Sequence, residues 1–528
     1  MSDEQMIYEV PENLPLRELK TWLAKNQPAT TESAEDVERA YLDTFDWRLF
    51  RAGTALEVAT RPGGYLLTWR KLGSGEPLIQ ARMRRVPRFA NEFVAPGIRQ
   101  QLHEILGERS LLPHISVGSR TRSVNLIDDE QKTLVRVELR QDRVVVPNST
   151  RFYKLPDYAY LFRYRGYDAV FRKKRRQLTE NGRLQPVSED PLISALNCLG
   201  IQPANYSNKP AFRLDPEQPT HTALKQILDA FRNIMEINIE GLCKDKDPEF
   251  LHDYLLALRR TRCLLDRFPS SFPDKGMEIV KQDFEWVENI ARPVRNLDIH
   301  LGLFEDFGTR VDSDHRGGLK SLQRFLVEQK LKQQRQMRIP MESPRYRRLM
   351  DAWQRVLTQS GNGGQYPAAA ERPIGQTASE HIWEAYLLTL DNGRAISGES
   401  SMDDLLKLYQ HSKLLGYQME IFSSLYPKDK YRPLMAAQKR VQHNLNRLHD
   451  LHLQHNALLD YRNRMRQERR TMPISLEAID LLAADMAEEC SKVRADYADR
   501  FQWLDRKKTQ KRFRTLLADN DSDDRFRT

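Results

Sequence analysis

The sequence predicts an α+β chain, with a strand-rich N-terminal part followed by an all-helical part, and three observations carry that expectation. Up to about residue 185, short β-rich runs alternate apolar and polar residues between Gly and Pro breaks. From Thr220 to about Leu517, apolar residues recur at i, i+3 and i+4 over many turns. Between the two parts, the segment 201–219 holds four prolines and reads as a linker.

The strand-like runs are GTALEVATRPGGYLLTWRKL (53–72), KTLVRVELRQDRVVV (132–146) and YAYLFRY (158–164). Two helices, LPLRELKTWLAK (14–25) and PGIRQQLHEILGE (96–108), interrupt them, and a third short helix is expected near Pro191–Leu199. This divides the chain into a β-rich domain at 1–185, a helix and Pro-rich linker at 186–219, helical bundles at 220–357 and 374–517, and a disordered tail of mixed charge at 518–528. The break between the bundles is TQSGNGGQYPAAAERP (358–373), whose composition separates units. Weak self-similarity relates them. Arg259 precedes Asp298 of VRNLDIHLGLF by 39 residues, and Lys413 precedes Asp450 of NRLHDLHLQHNALL by 37.

The 83 Lys plus Arg against 73 Asp plus Glu give a net charge of +10, which favours a polyanionic partner without identifying one. Four cysteines stand apart without a C-x-x-C pair, so neither a zinc site nor a disulfide framework is indicated, and a reducing, cytosolic compartment is expected. No stretch approaches the length of an apolar membrane span. Nucleotide-binding loops and the hydrolase elbow are absent. His443, His449, His452 and His455 lack metalloprotease spacing and read as polar packing between helices, not as a metal site.

The basic residues are more informative. In LHDYLLALRRTRCLLDRF, His252 and Arg259 are separated by about 700°, close to two turns, and so share a face. Arg262 sits over the same turn, with Tyr254, Leu258 and Leu265 as an apolar stripe beside it and Leu256 and Leu264 expected round the back. A helix buried almost all round with a cationic seam must meet something anionic. Further clusters are Arg82, Arg84, Arg85 and Arg88, and FRYRGYDAVFRKKRR (162–176), where Arg163 and Arg165 alternate on one strand face.

The helical part resembles the CHAD family. HDYLLALRRTR follows its H-x-x-R-V-x-x-R-R-x-R helix through His252, Arg259, Arg260 and Arg262, with Leu255 in place of the first arginine. IARPVRNLDIHL keeps Arg295 and Asp298 of a second element, with Arg292 at the usual glycine. SPRYRRLMDAW carries Arg345, and KLLGYQMEIF carries Lys413, Tyr417, Glu420 and Phe422. Leu406, Tyr409 and Gly416 replace the family's histidine and two arginines in the second half. The resemblance implies binding of inorganic polyphosphate, with His252, Arg259, Arg260, Arg262, Arg292, Arg295, Arg345, Lys413 and Lys439 as the binding set and polyphosphate granules as a place of action.

The N-terminal part resembles the CYTH family through YLDTFDWRLFRAGTALEV, with Tyr41, Asp43, Thr44, Asp46, Leu49, Gly53 and Leu56, and through GGYLLTWRK and LFRYRGYD. That implies an eight-stranded antiparallel tunnel for a triphosphate. Here the E-x-E-x-K strand is reduced to Glu9, L-R-x-R becomes Leu56, Glu57, Val58, Ala59, and Met83 to Arg85 replace a later E-x-E. Metal-assisted phosphoryl chemistry needs carboxylate oxygens. The expectation is therefore a tunnel without its hydrolytic site, in which Arg70, Lys71, Arg82, Arg84, Arg163 and Arg165 hold at most an anion, with no metal and no cofactor. A polyphosphate-binding protein is the first reading. A tripolyphosphatase of the CYTH type and a nucleic-acid-binding or scaffold protein are the alternatives.

Overall fold

The computed structural model describes residues 5–26, 28–93, 95–164, 166–180, 182–272, 277–359, 367–468 and 473–518. The chain divides into two compact units, Met1–Ser207 and Asn208–Thr528.

In the first unit ten strands form one antiparallel sheet among the described residues: β1 (Gln5–Glu9), β2 (Ala29–Thr31), β3 (Glu35–Asp43), β4 (Thr54–Arg61), β5 (Gly64–Lys71), β6 (Pro77–Met83), β7 (Leu112–Ile127), β8 (Thr133–Val145), β9 (Phe152–Arg163) and β10 (Gln185–Pro186). Their order is β10-β1-β9-β8-β7-β3-β4-β5-β6, with β2 paired to β7 off this path. β2 and β10 have three and two residues, which leaves eight longer strands. The sheet curls into a half-barrel. Around it lie α1 (Leu16–Asn26), α2 (Arg48–Arg51), α3 (Pro96–Leu106), α4 (Asp168–Glu180) and α5 (Pro191–Leu199). The run at 53–72 is the β4–β5 hairpin, and α4 takes up most of the basic cluster at 162–176.

Strand β8 shows how the curl assigns its faces. Val135, Val137 and Leu139 pack outward against Leu19 and Leu23 of α1 and Phe171 and Leu178 of α4. The alternate residues Glu138, Arg140 and Asp142 are also buried. A flat sheet would give that polar face to water. Here it lines the concave side.

The second unit is helical: α6 (Thr220–Cys243), α7 (Pro248–Arg267), α8 (Met277–Gly302), α9 (Phe304–Arg310), α10 (Arg316–Met341), α11 (Pro344–Gln359), α12 (Ala368–Glu371), α13 (Ile374–Ala395), α14 (Met402–Ile421), α15 (Lys428–Gln467), α16 (Pro473–Ala495), α17 (Tyr497–Asp505) and α18 (Lys507–Ala518). The two helical segments share a core, in which Leu297, Leu322 and Phe325 meet Leu451, Leu458, Ile479 and Leu482. No helix among the described residues is long and apolar enough to cross a membrane.

The proline-rich segment is packed. Ile201 and Ala204 lie against the half-barrel core, while Phe212 meets Phe231 at 5.9 Å and the Pro216 carbonyl accepts from the Gly375 amide at 2.9 Å. The central break is outside the described residues over 360–366, as is the tail over 519–528.

Candidate anion-binding cleft

Helix α7 is started by Asp247, whose carboxylate accepts from the amides of Glu249 and Phe250, with Pro248 at the first helical position. Its apolar face buries Tyr254, Leu258 and Leu265. His252, Leu256 and Arg259 line a cleft of about 390 Å³. Leu256 is thus not at the back of the helix: four residues turn about 400°, which returns it to within about 40° of His252. The opposite wall is Tyr409, Lys413, Gly416, Tyr417 and Glu420 of α14, and α15 supplies Met435, Gln438, Lys439, Gln442, Asn446 and Asp450. Lys209 completes the rim.

Four cations face this space, Lys209, Arg259, Lys413 and Lys439, against two carboxylates, Glu420 and Asp450. Glu420 is already engaged, since it accepts from Arg260 at 2.5 Å. Lys413 donates to the Tyr409 hydroxyl at 2.7 Å and lies 5.0 Å from the Tyr409 ring centroid. Burial first, and then the Arg259 charge, pull its pKa down to about 8. Asp450 and Glu288 oppose that shift without cancelling it. Tyr409 stacks on His449 at 4.1 Å.

Behind Arg259 stands a second concentration of positive charge. Glu288 accepts from Arg259 Nε at 2.9 Å and from Arg262, and Arg292 approaches it at 3.7 Å. Burial opposes its charge, but the hydrogen bond and charge of Arg259, with those of Arg262, hold its carboxyl below the usual range. Three guanidinium groups therefore share one carboxylate.

The structure separates the remaining residues of the expected set. Arg260 is buried, donating to Glu420 and to the Asn208 carbonyl at 3.1 Å. It ties α7 to α14 and does not face the cleft. Arg295 is lowered by burial and makes a long bond to the Pro248 carbonyl at 3.5 Å. Arg345 lies 4.0 Å from the Trp286 ring centroid and donates to Asp283 at 2.6 Å, away from the cleft. Sequence reasoning missed Lys209 and the polar stripe of α15. Gln438, Gln442, Asn446 and Asp450 are spaced four apart, a helical-face signal that was there to be read.

The half-barrel handles charge differently. Arg39 donates to Glu57 at 2.7 Å, Arg140 reaches Glu57 at 3.3 Å and Glu138 at 3.0 Å, and Ser119 donates to Asp142 at 2.5 Å. Burial opposes the Glu57 charge, yet Arg140 and Arg39 bring its pKa down to about 2. Burial pushes Asp142 up. Arg39 and Arg140 share one oxygen of Glu57, Oε1, and Arg140 also holds Glu138 Oε2. Among the described residues no group of three His, Cys, Asp or Glu side chains is placed to hold a metal ion.

Of the cations expected in the tunnel, Arg82 and Arg84 line a mouth cavity of about 620 Å³ together with Arg61, Arg136, Glu32, Glu35 and Glu138. Arg70 is fully buried and makes a two-pronged pair with Asp190, at 2.6 and 2.8 Å, which also caps α5. No anion can reach it. Lys71 pairs with Glu76 at 2.7 Å and Arg163 with Asp168 at 2.5 Å, both away from the cavity. Arg165 lies outside the described residues. Asp43 of the YLDT motif accepts from the amides of Thr44, Leu49 and Phe50, so it shapes the turn into α2.

Residues 226–459 match the CHAD domain family. No curated protein matches the chain. Solved structures it resembles include the CHAD domain from the plant Ricinus communis, at 19% identity over 56% of this chain and 96% of that one, with a TM-score of 0.48. PptA from Streptomyces chartreusis is 17% identical over 54% of this chain and 99% of its own, with a TM-score of 0.41. The putative adenylyl cyclase HpAC1 from Hippeastrum, described as having a dominant triphosphatase activity, is 14% identical over 39% of this chain and 100% of its own, with a TM-score of 0.23. Residues 226–459 are therefore a CHAD domain.

Proposed function

We propose that the helical unit binds inorganic polyphosphate in the cleft between α7, α14 and α15, without a divalent metal, and that the protein acts at polyphosphate granules in the cytoplasm. The carrying observation is the excess of cations over carboxylates in the cleft lining: Lys209, Arg259, Lys413 and Lys439 outnumber Glu420 and Asp450, and Glu420 already serves Arg260. A polyphosphate chain presents about one negative charge per phosphate, and the forked guanidinium donors of arginine match phosphate oxygens. The CHAD match supports the same ligand class.

The half-barrel is read as non-hydrolytic, because the interior carboxylates Glu57 and Glu138 are paired with Arg39 and Arg140. The competing reading is a metal-dependent tripolyphosphatase. The full-length protein is titrated with fluorescent polyphosphate in EDTA, in competition with RNA of matched charge, and assayed separately for phosphate release from tripolyphosphate with Mg²⁺ or Mn²⁺. Displacement by polyphosphate at far lower concentration than by RNA, with no release above a blank, is expected. Equal competition would favour a general polyanion binder, and release lost in Glu9→Gln would establish the phosphatase.

A further inference from the structure

A second set of cations lies at the C-terminal end of the helical unit. From Arg506 to Arg514 the segment RKKTQKRFR holds six cations and no acid. On α18 the buried residues Phe513, Leu516 and Leu517 span about 100° of arc, and Lys507, Lys508, Lys511 and Arg512 occupy the far side, all exposed. Among the described residues, none of these four makes an ion pair. The neighbouring acid, Asp505, is taken by Arg394 at 2.6 Å.

This face is joined to the cleft by an arginine–tryptophan–arginine cluster. The guanidinium carbons of Arg440 and Arg506 lie 4.0 and 3.6 Å from the centroid of Trp503, which is 39% exposed. The ring holds two like charges close together without a carboxylate between them. Arg440 follows Lys439, a cleft-lining residue, and both α17 and α18 pack on α15. Cations therefore run from the cleft through Lys439, Arg440 and Arg506 to α18.

We propose that this surface is a second phosphate track, onto which a polyphosphate chain too long for the cleft continues, so that the protein prefers long chains to short ones. The proposal rests on the cleft reading. A short chain fills the cleft and ends there, while each further phosphate neutralised by α18 releases counterions and adds affinity.

The test compares long-chain polyphosphate with tripolyphosphate on the full-length protein in EDTA. The variants are Arg259→Ala and the combined Lys508→Gln, Lys511→Gln and Arg512→Gln, whose side chains are exposed and break no ion pair. Three contacts at about 0.7 each lower the log–log salt slope by roughly 2 and weaken long-chain binding about tenfold at moderate salt. Tripolyphosphate affinity stays within about twofold. Trp503 emission responds to the long chain and not to tripolyphosphate, and the response disappears in Trp503→Phe. An unchanged long-chain slope in the triple variant, or an equal loss for both ligands, overturns the track alone. If Arg259→Ala leaves tripolyphosphate binding intact, the cleft reading fails, and the track falls with it as a continuation.

Discussion

The half-barrel and the helical unit both gather arginines, and they differ in what answers them. In the half-barrel, Arg39 and Arg140 meet Glu57 and Glu138, and Arg70 meets Asp190, all buried. In the helical unit three arginines share Glu288, and Lys413 is lowered to about 8 by burial and by Arg259. The number of basic residues therefore does not locate an anion site. The placement of their acids does. Charges balanced inside a sheet hold the sheet together, whereas charges left over at a cleft wall can hold a ligand.

The sharpest way to break this comparison is to unbalance the half-barrel. Glu57→Gln leaves Arg39 and Arg140 buried without their shared partner, and removing one side of a buried pair costs about 3–5 kcal/mol. Chemical denaturation of the variant should show a loss of that order. A loss below about 1 kcal/mol would mean that water already reaches these groups.

The next effect is in the cleft. Arg259 both lines the cavity and holds Glu288, while Arg262 holds Glu288 without lining the cavity. A charge-assisted contact is worth about 1.5–3 kcal/mol, so Arg259→Ala should weaken polyphosphate binding by roughly ten- to a hundredfold. Arg262→Ala should cost less. Equal losses measured by titration calorimetry would point to a diffuse field.

How much of this was legible in the sequence depends on distance along the chain. The start of α7 and the shared face of His252 and Arg259 follow from local rules, since Asp247–Pro248 is a helix-start signal and seven residues make two turns. The strand alternation of RVELRQD was equally visible. Its inversion was not, because only the curl of the sheet puts Glu138, Arg140 and Asp142 on the concave side. Arg70 and Asp190 pair across 120 residues, and nothing local marks Arg70 as structural. Arg260 looked like a ligand by its place in a motif, yet Glu420 of a distant helix claims it. Tyr409 and Gly416 read as losses, and both still line the cleft wall.

A pH titration sharpens the comparison further. The free-state pKa of Lys413 is depressed, so its charge is lost as pH rises through about 8, not near the ordinary lysine value. A bound polyanion favours the charged form and raises that pKa, so binding above pH 8 takes up a proton. Affinity should fall by up to about tenfold per pH unit above pH 8, and Lys413→Arg, which stays charged, should flatten the profile. The same linkage makes the neutral lysine favour the fold, so the folded state gains stability between about pH 8 and the unfolded-state value. A wild-type affinity that is level to pH 10 would remove Lys413 from the site.

The smallest effects are expected where surface cations already have partners. Lys71 and Arg163 are held by Glu76 and Asp168 outside the mouth cavity. Lys71→Ala and Arg163→Ala should change polyphosphate affinity by less than about twofold in the same titration, in keeping with the small worth of exposed pairs.

The central claim is that leftover charge in the helical cleft, and not the basic mouth of the half-barrel, holds the ligand. It is tested most directly by equilibrium binding of polyphosphate to the full-length protein in EDTA. Arg259→Ala with Lys413→Ala is set beside Arg82→Ala with Arg84→Ala, an equal loss of two charges from each unit. The account predicts at least a tenfold loss for the cleft pair and less than about twofold for the mouth pair. The reverse order, or equal losses from the two units, would contradict it.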